Sequence, residues 1–229
     1  MALQPFPIET DSGGTTEGVV TVVLEQPGKP VVVLDQELIQ RLELTLSSLP
    51  RNARGLVLAS ASERAFVAGA DLKAIQELND DQLHAYLKFG SRVFAMLSNF
   101  PFPTAAAING AALGGGLELA MHCDGLIGAP PAARDGQPGK AYPVGLPEAG
   151  LGICPGWGGT CLLSARMDAT DAIRRTASGS PMMFDDAVKA GLFDAVAPDA
   201  GALRATAKAW VVSRRQGALT RDGAPLRHA

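Results

Sequence analysis

Two short runs, Gly55-Leu-Val-Leu-Ala59 and Thr104-Ala-Ala-Ala-Ile-Asn109, are apolar at almost every position rather than at every second one. A strand with one wet face alternates. An unbroken run this short belongs to a strand covered on both faces, as in a parallel sheet flanked by helices. Val19-Val-Thr-Val-Val-Leu24 and Asp124-Gly-Leu-Ile-Gly128 read as further strands, and residues 195–198 as another. Helical patterns lie between them. Asp35 is placed to cap a helix through about residue 46, with Leu38, Ile39, Leu42 and Leu46 on one face. Residues 80–99 carry Leu83, Tyr86, Leu87, Phe94 and Leu97 at helical spacing, and Pro101 and Pro103 stop that helix. A short helix over residues 185–191 and a final amphipathic helix over 200–216 follow. Alternating strands and helices give an α/β class.

At 229 residues the chain can bury a large core, and it shows no internal repeat or clear interdomain linker. The expected organisation is a loose Pro-, Gly- and Thr-rich segment over 1–16, one core domain over 17–199, and a C-terminal helix and tail over 200–229. A net charge of -3 with no block of like charge argues against a nucleic-acid surface. The three cysteines form no CxxC, which fits a reducing, cytoplasmic setting. The N-terminus lacks the basic flank and apolar core of a signal peptide. Residues 105–121 are nearly all apolar but are built from Ala and Gly and contain Asn109 and Glu118. They read as a buried strand, a loop and a buried helix, not a membrane span.

Within that stretch, Ala111-Ala-Leu-Gly-Gly-Gly-Leu-Glu-Leu-Ala120 runs three glycines into a helix that carries a carboxylate among apolar neighbours. Both choices are costly in isolation: glycine is about 1 kcal/mol worse than alanine in a helix, and a buried carboxylate needs partners. Two other segments have related grammar. Ala65-Phe-Val-Ala-Gly-Ala-Asp-Leu-Lys73 passes through small residues into a helix start near Asp71, and Leu146-Pro-Glu-Ala-Gly-Leu-Gly-Ile-Cys-Pro-Gly-Trp-Gly-Gly-Thr160 sets Glu148 on a Pro- and Gly-shaped loop. Singly, each has a structural explanation: close helix–strand packing, a plain N-cap, a surface acid after a proline. Together, two helix starts of bare backbone and two carboxylates in apolar settings are the parts of an oxyanion hole and an acid/base pair.

Other chemistries lack their motifs. Gly114-x-Gly116-x-x-Leu119 misses the third glycine of a dinucleotide fingerprint, and neither a P-loop nor a GxSxG elbow occurs. His122 beside Cys123 and Asp124 lacks metal-ligand spacing and reads as structural.

Phe66-Val-Ala-Gly-Ala-Asp-Leu-Lys73, Asn109-Gly-Ala-Ala-Leu-Gly-Gly-Gly-Leu-Glu-Leu-Ala120 with Cys123-Asp124, and the stretch from Leu146 to Thr160 resemble the crotonase superfamily. The similarity is closest to enoyl-CoA hydratases, including the hydratase modules of bifunctional fatty-acid oxidation proteins, and covers residues 17–212. It implies a crotonase-like α/β fold of repeated β-β-α units and a coenzyme A thioester substrate, with no separate cofactor and no metal. By that resemblance the N–H groups of Ala70 and Gly115 hold the thioester oxygen. Glu118 activates water for attack at C3 and Glu148 delivers a proton to C2, making the protein a lyase of fatty-acid metabolism. Ala65, Phe66, Ala68, Asp71, Lys73 and Gly114 match positions near the coenzyme A moiety. Lys73 reads equally as a phosphate partner or a solvated helix lysine, and Trp157 as acyl-pocket lining or core packing. Pocket depth would be set by residues 76–97.

The chain departs from the family pattern twice. The spacing between Asp124 and Glu148 is longer, and the excess at residues 130–140 reads as a surface hairpin. Little helix follows Gln216, where relatives continue with helices that cover the acyl site and build trimers, so the chain reads as a shortened member or as a module of a larger protein; a homotrimer or hexamer is the expected assembly. The alternatives are a Δ3,Δ2-enoyl-CoA isomerase, which needs one base and no bound water, and a non-catalytic acyl-CoA-binding scaffold. Retention of both glutamates favours hydration.

Overall fold

The computed structural model describes residues 3–50, 52–133, 137, 139–215, 220–221 and 224–225. Its strands are β1 (Ile8–Thr10), β2 (Val19–Leu24), β3 (Gly55–Ser60), β4 (Ala65–Val67), β5 (Thr104–Ile108), β6 (Ala111–Leu113), β7 (Gly125–Gly128), β8 (Pro143–Gly145), β9 (Met182–Met183) and β10 (Ala195–Val196), with a separate two-stranded pair, β11 (Thr220–Arg221) and β12 (Ala224–Pro225). The helices are α1 (Gln36–Ser47), α2 (Leu72–Gln76), α3 (Asp80–Ser98), α4 (Gly115–Met121), α5 (Gly159–Ser164), α6 (Ala169–Ser178), α7 (Phe184–Lys189) and α8 (Leu203–Arg215).

Two sheets organise the chain. The larger runs β1-β2-β3-β5-β7-β10 and the smaller β4-β6-β8-β9. The pairs β2–β3, β3–β5, β5–β7 and β7–β10 are parallel, as are β4–β6 and β6–β8, while β1 and β9 add antiparallel edges. The β-β-α repeat is visible here: β3, β5 and β7 each enter the large sheet, and β4, β6 and β8 follow each into the small one. A helix comes next each time.

The unbroken apolar runs have their reason in the layers. Leu56, Leu58, Ala106 and Ile108 face the main core between sheet and helices, whereas Val57, Ala59, Ala105 and Ala107 face a second cluster under Leu203, Ala207, Trp210 and Val211 of α8. Both faces of β3 and β5 are therefore dry.

Local signals account for the helix starts. Asp35 Oδ1 accepts from the Leu38 N–H at 2.8 Å, and Asp71 Oδ1 from the Ala74 N–H at 3.2 Å. Asn79 and Gln82 form a reciprocal capping box at the start of α3.

The segment read as loose over 1–16 instead carries β1, which pairs with β2 from Ile8↔Val22 to Thr10↔Val20, and Phe6 is buried. Its apolar content is sparse, and the large sheet supplies the edge that orders it. The expected hairpin over 130–140 lies partly outside the described residues, as do Gln216 and most of the tail. Among the described residues, no helix is long and apolar enough to cross a membrane.

Candidate active site

Three glycines in succession are each required by a different neighbour. Gly114 has φ 52° and ψ -128°, and a Cβ there would stand 2.8 Å from Glu148 Oε1. A Cβ on Gly115 would meet the Trp157 indole at 2.4 Å, and one on Gly116 the Val67 carbonyl oxygen at 2.2 Å. The absent side chains let the start of α4 lie between the β4 backbone, the indole and the second carboxylate. Gly115 is the first residue of α4, so its N–H has no acceptor within the helix.

The segment before α2 is held from the other side. Leu34 forms a parallel bridge with Ala70: the Leu34 N–H donates to the Gly69 carbonyl at 2.8 Å and its carbonyl accepts from the Asp71 N–H at 2.9 Å. That pattern uses the peptide groups flanking Ala70 and directs Ala70's own N–H to the opposite edge. Among the described residues, neither the Ala70 nor the Gly115 N–H finds a hydrogen-bond acceptor. The Leu34 carbonyl also accepts from the Tyr86 hydroxyl at 3.2 Å, which ties this loop to α3.

Glu118 sits one turn into α4 and is 1% exposed. Its Oε1 accepts from the Trp157 N–H at 2.7 Å and from the Gly159 N–H at 2.8 Å, at the entry to α5. Its Oε2 is buried with no partner among the described residues, and the same holds for Glu148 Oε2. Glu148 opens a 3-10 turn (Glu148–Leu151) after Pro147, and its carbonyl accepts from the Ile153 N–H at 3.2 Å. Trp157 fixes the far side: its Nε1–H donates to the Leu87 carbonyl at 3.1 Å, and its ring packs edge-on against Tyr86.

These parts share one cavity of about 380 Å³. Ala68, Ala70, Gly114, Gly115, Glu118 and Glu148 all line it, with Trp157. Leu83 and Leu87 of α3 contribute as expected for the segment 76–97, and Leu72, Leu151 and Ile153 add an apolar rim. Four positions matched to coenzyme A binding are not brought there. Ala65 and Phe66 are buried within β4, Asp71 caps α2, and the Lys73 side chain is exposed on that helix. The position of His122 agrees with its structural reading: Nδ1 lies 2.9 Å from the Glu118 carbonyl and the ring meets Phe94 edge-on. Leu34 and Cys154 are parts of the site that the sequence reading does not single out. Leu34 acts through its peptide groups, which leave no mark in sequence. Among the described residues, no cluster of His, Cys, Asp or Glu could hold a metal ion.

Burial pushes the Glu118 carboxyl up to about 7, against the lowering effect of the Gly159 and Trp157 N–H groups, and the nearby Glu148 charge adds to the rise. Burial also raises Glu148. Each acid therefore binds its proton more tightly in the folded chain than in the unfolded one. Between the ordinary carboxylate range and pH 7 the native state holds more protons, so stability falls as pH rises through that window. Urea unfolding at a series of pH values is expected to show this decline, with a shallower slope in Glu118→Gln. Equal slopes in the two proteins would show that Glu118 does not titrate there.

A sequence model described as enoyl-CoA hydratase/isomerase matches residues 14–214. An enoyl-CoA hydratase from Bacillus anthracis is 28% identical, with a TM-score of 0.79 over 94% of this chain and 78% of that one. DspI from Pseudomonas aeruginosa shares the fold at 24% identity and a TM-score of 0.78, over 93% of this chain and 81% of its own. An enoyl-CoA hydratase from Thermoplasma volcanium GSS1 shares it at 23% identity and a TM-score of 0.76, over 93% and 78%.

Proposed function

The chain belongs to the enoyl-CoA hydratase/isomerase family, and from that premise we propose that it adds water across the 2,3 double bond of a 2-enoyl-CoA thioester. The observation that carries this is that Glu118 and Glu148 line one apolar-walled cavity, and each keeps a buried Oε2 with no partner among the described residues. A water molecule between them would satisfy both.

In this mechanism the thioester oxygen accepts from the N–H groups of Ala70 and Gly115. As the water oxygen bonds to C3, Glu118 takes its proton and the double-bond electrons move toward the thioester oxygen. The two N–H groups stabilise the resulting enolate charge; one such donor is typically worth about 3 kcal/mol in the transition state. Glu148 then gives its proton to C2. The two acids line one cavity and the Glu148 charge adds to the rise of Glu118, so in this mechanism ionisation at the onset of activity is assigned to the pair. Coenzyme A enters as part of the substrate, and the apolar walls receive the acyl chain.

An isomerase moves a double bond with a single base and has no use for a water held by two acids. The test is the purified protein with crotonyl-CoA, followed by loss of the conjugated thioester absorbance, beside a 3-enoyl-CoA followed by its gain. Loss with crotonyl-CoA, accompanied by 3-hydroxyacyl-CoA in the mass spectrum, is expected. Gain with the 3-enoyl substrate and no hydration would replace this proposal with isomerisation.

A further inference from the structure

Cys123 is buried in the core, whereas Cys154 and Cys161 are exposed. Cys154 is the cysteine that lines the cavity with Glu118 and Glu148. Its position follows from the backbone. After Gly152 in the left-handed region at φ 73°, the Ile153 N–H returns to the Glu148 carbonyl, and the thiol follows directly on the bond that closes the Glu148 turn. The cavity bears a second, independent mark of an occupant: Glu118, 1% exposed, and Glu148, 7% exposed, each keep a buried carboxylate oxygen without a partner among the described residues. Such oxygens call for a ligand or water to complete them.

We propose that Cys154 is a ligand-gated modification site, open to small α,β-unsaturated carbonyl compounds when the cavity is empty and covered when an acyl thioester fills it. The Cys154 thiolate adds to the β-carbon of the electrophile. One C–S bond forms and the carbon–carbon π bond breaks, and the α-carbon takes a proton from water in place of the one the thiol released. The adduct stands beside Glu148 and occupies the space the acyl chain needs, so binding and turnover stop together. Cys161 lies on α5 away from the cavity lining, so its alkylation is without this consequence. Cys123 is withheld from the reaction by its burial, which also pushes its thiol up to about 12.

This inference rests on the cavity being an acyl-thioester site. The experiment treats the full chain with N-ethylmaleimide, with and without butyryl-CoA, a saturated thioester with no double bond to hydrate, and maps the labelled peptides by mass spectrometry. At ten times its Kd, butyryl-CoA is expected to slow labelling of Cys154 about tenfold and to leave Cys161 unaffected. Butyryl-CoA binding by calorimetry is expected to vanish as Cys154 is labelled, while Cys154→Ala keeps its own starting affinity through the same treatment. Protection of neither cysteine or of both alike, or equal loss of binding in Cys154→Ala, would overturn the proposal. Protection without any hydration of crotonyl-CoA would sink the hydratase assignment and leave this site standing. Hydration with Cys154 unprotected would do the reverse.

Discussion

Glu118→Gln is expected to slow hydration of crotonyl-CoA by about a thousandfold, within the range typical for loss of a positioned general base. The substitution is conservative in the fold. A glutamine carbonyl can keep both bonds that Oε1 now accepts, from Trp157 at 2.7 Å and Gly159 at 2.8 Å. Its amide nitrogen takes the place of Oε2, which has no partner among the described residues. What is lost is basicity, so kcat should fall while the Kd for butyryl-CoA changes little and the unfolding midpoint holds or rises, a buried acid having been removed. Glu148→Gln is expected to behave alike, and the double variant to be little worse than either, because the two acids act on one water. Turnover by Glu118→Gln within tenfold of the parent would reject the two-acid mechanism.

The largest stability effect is expected at Arg166, far from any reacting atom. Its guanidinium and the Asp194 carboxylate are 4% and 6% exposed, and Nη1 lies 3.3 Å from Asp194 Oδ2. Nη2–H donates to the Met121 carbonyl at 3.0 Å and also to the Cys123 carbonyl, at and just beyond the end of α4. Asp194 Oδ2 accepts in turn from the Leu126 N–H at 2.9 Å. The helix that carries Gly115 and Glu118 is thus gripped at both ends by α5 and the turn after it. Backbone amides near the α5 start hold Glu118, and an arginine beyond its finish holds the closing carbonyls. Arg166→Met leaves a buried carboxylate without its cation, and such a break typically costs about 3–5 kcal/mol. Urea unfolding should show that loss, and Asp194→Asn in the same chain should recover part of it by removing the stranded charge while keeping an acceptor for Leu126. A loss under about 1 kcal/mol in Arg166→Met would place the pair among weak surface contacts.

Much of the large sheet was legible. β2, β3 and β5 announce themselves because burial on both faces demands apolar residues throughout, and α1 and α3 because periodicity and a cap agree. The small sheet was not. β4, β6 and β8 have three residues each, rich in Ala and Gly, and pair with segments far along the chain. No period can be read over three positions, so these strands passed for loops. At the site, the glycines and both acids stood out in sequence and their likeness to a family linked them. The clamp on Glu118 did not, because Trp157 and Gly159 hold it through peptide N–H groups that every residue but proline possesses. Arg166 and Asp194 were equally hidden: nothing in a linear text marks two charges as partners across 28 positions.

With Oε1 held by two amides, the Glu118 carboxylate is fixed at one oxygen, and Oε2 is the oxygen left to act. Under the proposed chemistry, one side of the flat alkene is offered the nucleophile and the other never is. The handedness of the alcohol formed is then written into a pair of peptide bonds at the entry to α5, and no side chain need be consulted to choose it.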